Sequence, residues 1–364
     1  MTFKIKLLST LGLGALLAFL CWPSPIQPEG WAPPLAPSMS GVLQPNHALA
    51  SAERLGLGRI QAAEDVLADE KGRLYITDHD KVLRLAPDAK PKPAIETLAQ
   101  TGGQNLGLAW LNSKTLAVAN QPLGLFTVNI ENGQTTHLET PGIHYANAIT
   151  VDTDGQTLYF SESSDRYYGE TWKYLYDLLE AKPHGNLWAY HIKTGKLTRL
   201  LSGLYYANGV ALSPQKDYLL VNETYRYQIR RYWLKGPKAG RNEIFAENLP
   251  GFPDGLSLDP KTGNYLAAMY TVRNPAIDTL HHYPFLKSQM AKLPRFMWPQ
   301  PKHYGMVLVL NPDGQIVDSL QDPGGEIFAI SSARKIGAQL YLGSLHGGFA
   351  GRLNWDASKL AAHP

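Results

Sequence analysis

Cysteine is almost missing from this sequence. Cys21 stands alone, which excludes an internal disulfide framework and any zinc site built from several thiolates. Charge of one sign is equally scarce. With 34 Lys+Arg against 31 Asp+Glu the formal charge is +3 over 364 residues, and no dense basic block or stripe forms, so nucleic acid is not an expected partner. There is no Gly-x-Ser-x-Gly elbow and no Walker loop, and Gly56-Leu57-Gly58-Arg59 is not followed by the helical pattern that a dinucleotide fingerprint needs. Serine-hydrolase, nucleotide-triphosphate and dinucleotide chemistry therefore lack their usual local signatures.

Long apolar runs are missing too, with one exception at residues 7–22, just after Lys4 and Lys6. This run reads as a short signal anchor or a secretory signal peptide. Cleavage calls for small residues, whereas the run ends Phe19-Leu20-Cys21-Trp22-Pro23. An uncleaved single-pass anchor over residues 1–22 is therefore expected, with the rest of the chain on the non-cytoplasmic side. The alternative is secretion after cleavage. Residues 23–50 are proline-rich with few charges and read as an extended tether.

Glycine (33), proline (26) and tyrosine (19) are abundant, which suits many short strands joined by tight turns. At 44% hydrophobic content the chain has enough apolar residues for a large core. Residues 205–224 show how it is used. Asn208 opens an apolar alternation through Val210 and Leu212, a proline-containing turn spans residues 213–217, and a second apolar run covers residues 218–221. This is a hairpin with a polar group at the mouth of its first strand.

The same pattern recurs at residues 64–78, 147–162 and 254–270. Second strands align as Leu74-Tyr75-Ile76, Leu116-Ala117-Val118, Leu158-Tyr159-Phe160, Leu219-Leu220-Val221, Tyr265-Leu266-Ala267 and Leu340-Tyr341-Leu342, at intervals of 42, 42, 61, 46 and 75 residues. Six copies of a unit of about 45 residues predict an all-β fold, a six-bladed β-propeller over residues 51–364. The segment 54–60 is expected to pair into the last blade and close the ring.

The two long intervals contain insertions at residues 165–184 and 273–304. Each follows a second strand, on the face where the first strands open. Short helices are expected at residues 170–181 and 283–293, forming a lid or pocket wall. The competing readings are plain surface loops, or contact of Phe285, Phe296, Met297 and Trp298 with a membrane.

In a propeller the innermost strands line a central channel, so residues at their starts converge. By register these are Glu64, Asn147, Asn208 and Asp254, with Leu106 in the second repeat and Glu326 in the sixth. Taken singly, Asn208-Gly209 and Asp254-Gly255 are ordinary turn dipeptides, and Glu64 is an ordinary surface carboxylate. A turn explanation does not require all four to face one axis. Two carboxylates and two amide oxygens form a hard-donor set suited to Ca²⁺, with Mn²⁺ or Zn²⁺ as other divalent occupants.

Several segments resemble the strictosidine synthase-like family: Gly41-Val42-Leu43-Gln44-Pro45-Asn46, Ala52-Glu53-Arg54-Leu55, Tyr206-Ala207-Asn208-Gly209-Val210-Ala211-Leu212-Ser213-Pro214, Arg230-Arg231-Tyr232-Trp233-Leu234, Leu249-Pro250-Gly251-Phe252-Pro253-Asp254 and Leu340-Tyr341-Leu342-Gly343-Ser344. The resemblance spans about residues 41–355. It implies kinship with paraoxonases, gluconolactonases and diisopropyl-fluorophosphatase, which are divalent-dependent hydrolases, and it places Glu64, Asn147, Asn208 and Asp254 at that group's metal ligands. Ala148 stands where many relatives have the aspartate that feeds a second, structural calcium in paraoxonases. Gly255 stands where asparagine is common, and Leu106 where paraoxonases have a channel histidine. By the alignment of Gly325-Glu326-Ile327-Phe328-Ala329, Ala329 replaces the glutamate of true strictosidine synthases, so alkaloid synthesis is not expected.

The resulting expectation is a calcium-dependent hydrolase of a small-molecule ester or lactone. Asp254 serves as nucleophile or base, and His144 and His346 are candidate proton shuttles. For each histidine the competing reading is a loop residue bonded to backbone. The rival for the whole is a non-catalytic, membrane-tethered propeller whose metal is structural and which binds a ligand or protein.

Overall fold

The computed structural model of the chain describes residues 2–89, 94–170 and 172–355. Its fold is all-β and propeller-like. Four antiparallel four-stranded sheets are built from consecutive strands: Gln104–Asn112 to Thr135–Leu138, Ala146–Val151 to Lys196–Leu204, Ala207–Leu212 to Asn242–Ala246, and Gly251–Leu258 to Ile316–Asp322. The fifth sheet has eight strands. It joins Ala63–Ala68, Leu74–Asp78, Lys81–Ala86 and Ala94–Gln100 to a second group made of Ile330–Ile336, Gln339–Ser344, Ala350–Asn354 and Glu53–Leu55.

The repeat predicts six separate sheets, and the described residues form five. The cause is one backbone pairing, Ala63 with Ser344, that fuses the first and last groups. The expected closing strand is present but shorter than the segment 54–60. Glu53–Leu55 lies antiparallel on Ala350–Asn354, with Arg54 opposite Gly351.

The first strands of the six hairpins pack side by side in sequence order, and Ile330–Ile336 returns to Ala63–Ala68 to complete the cycle. Their neighbours in the sheets, such as Tyr218–Glu223 and Leu74–Asp78, are buried along their whole length. Apolar side chains on both faces suit them to this, because each sheet is sandwiched between two others. Outer strands such as Lys196–Leu204 face solvent and carry polar side chains.

Both insertions are helical where expected, over narrower spans. Tyr174–Glu180 lies within 170–181, and Pro284–Met290 within 283–293. A third helix, Pro275–Leu280, was not anticipated, although Asn274 caps it by accepting the Ala276 N–H and Pro275 occupies its first turn. Helices of six or seven residues are marginal alone. These are held by a shared apolar cluster of Tyr167, Leu179, Ala291 and Trp298.

Residues 23–50 are extended, with a single 3-10 turn at Gly41–Leu43, and they are laid on the propeller. Ile26 joins the cluster between the insertions. Backbone amides of Glu29 and Trp31 donate to the carbonyls of Glu180 and His281, and Arg273 donates to the Pro34 carbonyl. Leu43 and Leu49 are buried in the body of the fold.

The N-terminal run forms the helix Thr2–Cys21. Among the described residues no helix is long and apolar enough to cross a membrane. Leu11, Leu13, Leu16, Leu17 and Trp22 are exposed, and Lys292 Nζ donates to the carbonyls of Phe19 and Leu20. Of the four side chains considered for membrane contact, Phe285, Phe296 and Met297 are exposed, while Trp298 is buried in the insertion cluster.

Candidate active site

Every first strand breaks its pairing with its second strand at the same place. The register shifts fall between Ala63 and Val66, Asn105 and Leu108, Ala146 and Ile149, Ala207 and Val210, Pro253 and Leu256, and Ile330 and Ser332. A bulge of this kind re-aims the side chain it releases. In sequence order the released positions are Glu64, Leu106, Asn147, Asn208, Asp254 and Ser331. All of them line one narrow passage on the channel axis, and all but Ser331 also line the chamber above it.

Ser331, not Glu326, takes the sixth position. Glu326 is exposed and pairs with Arg54 at 2.8 Å, because the strand begins later than the Gly325-Glu326 motif suggested. The glycines after Asn208 and Asp254 are not turn residues. A Cβ on Gly209 would lie 2.3 Å from the Leu256 nitrogen, and one on Gly255 would lie 2.3 Å from the Ser331 carbonyl oxygen. They are needed because the adjacent first strand passes against the bulge.

The four oxygen-bearing side chains expected to converge do so. Glu64, Asn147, Asn208 and Asp254 are all buried and form a floor between two spaces. Above lies a chamber of about 520 Å³, walled by Tyr145, Tyr206, Tyr225, Phe252 and Tyr270 together with Leu179, Ile277 and Trp298 from the insertions. Below is a passage of about 30 Å³.

The floor is charged and under-satisfied. Glu64 Oε2 is buried with no hydrogen-bond partner among the described residues. Burial, then the charges of Asp254 and Asp65, push the Glu64 carboxyl well above the usual carboxylate range. Burial also pushes Asp254 up to about 7, opposed by a hydrogen bond from Asn208 and reinforced by the charge of Asp65. Two buried carboxyls held against their preferred ionised state are what a divalent cation relieves, so the residues present fit such an ion. Among the described residues no cluster of three or more His, Cys, Asp or Glu is arranged as a metal site. The donor set here is mixed, with two carboxylates and two amides.

The supporting row behind the floor escaped the sequence reading. Asn147 donates to Ser163 Oγ at 2.8 Å, which leaves the amide oxygen as its free acceptor. Thr77 accepts the Asp65 N–H and donates to the Leu106 carbonyl. Ser163 donates to the Ala207 carbonyl, Asn222 to that of Asp254 and Thr224 to that of Pro253. Thr77 and Asn222 come from second strands, Ser163 and Thr224 from just beyond the ends of second strands, and each ties the next sheet's floor position, or the residue before it, in place. Ser161, which accepts the Ala148 N–H, belongs to the same row, and the signal was available, because Thr77, Ser161 and Asn222 all directly follow the apolar triplets of the repeat.

The histidines separate. His346 lines the chamber, its ring edge-on to Tyr270, and burial followed by the charge of His79 lowers its pKa. His79, which the sequence reading passed over, lines the chamber as well. His144 does not. Its ring is stacked on Tyr168 at 4.5 Å, and its backbone N–H donates to Glu162. Three residues before a floor position is enough to turn a side chain out of the chamber. Ala329 is buried away from the chamber lining, at positive φ.

Family models described as strictosidine synthase and as strictosidine synthase-like, N-terminal, match residues 147–237 and 41–85. Adipocyte plasma membrane-associated protein of Rattus norvegicus is 31% identical, over 97% of this chain and 99% of that protein. Among solved structures, a gluconolactonase from Xanthomonas campestris superposes with a TM-score of 0.59 at 16% identity, covering 91% of this chain and 98% of its own. A calcium-binding regucalcin from Agrobacterium tumefaciens gives 0.54 at 15% identity, covering 84% and 87%. Likeness at that identity is one of fold.

Proposed function

This chain belongs to the strictosidine synthase-like family, and from that premise we propose that it is a calcium-dependent hydrolase of small-molecule esters or lactones. The carrying observation is the chamber floor, where Glu64, Asn147, Asn208 and Asp254 converge and one carboxylate oxygen of Glu64 is left buried without a partner among the described residues. The gluconolactonase and regucalcin folds support the reading. We count six blades, taking the eight-stranded sheet as two joined by the Ala63–Ser344 pairing.

Glu64, Asn147, Asn208 and Asp254 would hold a divalent cation, which when bound would supply Lewis-acid polarisation of a substrate carbonyl. Asp254 lies at the floor, within reach of a carbonyl carbon presented there, and acts as nucleophile or as base toward a water. Where Asp254 acts as base, the proton it takes from the attacking water passes to His346, whose pKa burial and then the charge of His79 lower, and from there to the leaving alkoxide. The aromatic and aliphatic walls favour apolar acyl or alkyl groups.

We also assign this protein to a membrane surface through its N-terminal helix. Exposed Leu11, Leu13, Leu16, Leu17 and Trp22 support that contact, as does the rat relative's description as plasma membrane-associated.

The test is turnover of phenyl acetate and a γ-lactone by the purified chain, with and without a chelator. Chelator-sensitive turnover that is lost in Asp254→Ala, with the fold intact, is expected. Calcium-dependent stability with no turnover across an ester and lactone panel would replace the enzyme by a binding propeller.

A further inference from the structure

Asp65 follows Glu64 in the same bulge but serves the space below the floor. It lines the narrow passage and is absent from the chamber lining. Its carboxylate is fully engaged. Oδ1 accepts from Arg334 Nε at 2.8 Å and from the Val66 N–H at 2.9 Å. Oδ2 accepts from Arg334 Nη2 at 2.6 Å and from the Leu108 N–H at 2.9 Å. A carboxylate offers about four acceptor positions, so none is left for an ion.

The guanidinium reaches further. Arg334 Nη2 also donates to the Leu108 carbonyl at 2.9 Å. One cationic group thus bridges the first strands Ala63–Ala68, Gln104–Asn112 and Ile330–Ile336 at the axis where they meet. The oxygens it covers, the Asp65 carboxylate and a backbone carbonyl, are hard donors of the kind that bind Ca²⁺. At about 30 Å³ the passage has room for only one or two water-sized occupants.

Charge counting leads the same way. Ionised, as a bound cation would require, Glu64, Asp65 and Asp254 bring three negative charges to the axis, and Arg334 brings one positive charge. The balance matches a single divalent ion.

Resting on the metal reading above, we propose that Arg334 is a built-in cation that fills a second cation position below the floor, so that the channel takes one divalent ion and no more. A side-chain cation costs no affinity for free calcium and cannot leave.

The experiment is calcium content per folded chain, measured by elemental analysis after dialysis against calcium, with circular dichroism in parallel. Wild type and Arg334→Lys are expected to hold one ion. Arg334→Gln frees Asp65 and is expected to hold two, with a larger calcium-induced rise in Tm than wild type. The double variant Asp65→Asn with Arg334→Gln is expected to return to one. Two ions in wild type overturn the proposal, as does one ion in folded Arg334→Gln. Failure of Arg334→Gln to fold at any calcium concentration also overturns it, because the ion should replace the lost charge. No ion in wild type overturns the metal reading itself, and this proposal with it.

Discussion

The Asn147 amide nitrogen donates to the hydroxyl of Ser163 at 2.8 Å, and that hydroxyl donates in turn to the Ala207 carbonyl at 2.7 Å. One side chain therefore fixes which end of Asn147 faces the floor and ties the strand that carries Asn208. Partners of this kind are typically worth 10–100-fold in metal affinity. Ser163→Ala should weaken calcium binding by about tenfold, read by isothermal titration, with little change in far-UV circular dichroism. An unchanged affinity would mean that Asn147 is not a ligand.

The floor carboxyls carry a sign that a thermal melt reads directly. The folded-state pKa of Asp254 is raised to about 7, so the unfolded chain gives up its proton first as pH rises. The metal-free protein should lose stability between about pH 4 and pH 7. Asp254→Asn should flatten that loss and raise the metal-free Tm at pH 7, while abolishing the rise that calcium gives wild type. For comparison, a ligand at a hundred times its Kd stabilises by about 2.7 kcal/mol. A variant still stabilised by calcium as wild type is would remove Asp254 from the ligand set.

His281 sets the acid side. It is buried against Trp31, neither ring nitrogen has a hydrogen-bond partner among the described residues, and burial, then the charges of Lys287, Arg226 and His282, lower its pKa to about 3. In the unfolded chain it titrates near its ordinary 6.5. Stability should fall as pH drops from about 6.5 toward 3, by up to about 1.4 kcal/mol per pH unit from this group. His281→Phe, which keeps a ring against Trp31, should shallow that limb. An identical acid limb would refute the assignment.

Ile26 tests whether the N-terminal strap holds the lid. It is buried with Leu179 and Trp298, which also line the chamber, and Lys287 Nζ donates to the Glu29 carbonyl beside it. Ile26→Ala should cost about 2–4 kcal/mol and speed hydrogen exchange in Tyr174–Glu180 and Pro284–Met290 ahead of the sheets. Uniform exchange throughout would show that the strap is passive.

Removing residues 1–22 should abolish co-flotation with phospholipid vesicles while leaving calcium binding intact. Retained flotation would move the membrane contact to Phe285, Phe296 and their neighbours on the insertions.

Much of this was legible because one hairpin is repeated. Glu64, Asn147, Asn208 and Asp254 could be placed from the apolar alternation behind them, since period two leaves no freedom once one face is buried. The sixth position could not, because Glu326 and Ser331 both precede apolar residues and only pairing with Gln339–Ser344 selects Ser331. His144 misled for a related reason. It lies before the strand, where no alternation constrains direction, and Tyr168 from the insertion captures its ring. The strap was legible as extended but not as packed, because nothing in a proline-rich run records what it will lie against. Arg334 left no trace either, since its partner Asp65 is 269 residues away.

The pairing of Glu53–Leu55 with Ala350–Asn354 joins the first strand of the described residues to the last. A ribosome must therefore release nearly the whole polypeptide before the barrier against edge-to-edge sticking is complete. Until then the nascent molecule carries open sheet margins at both ends, a hazard for aggregation. The chamber floor is completed late for the same reason, because the Glu64 carbonyl is held by the Ser331 hydroxyl from the closing end of the chain.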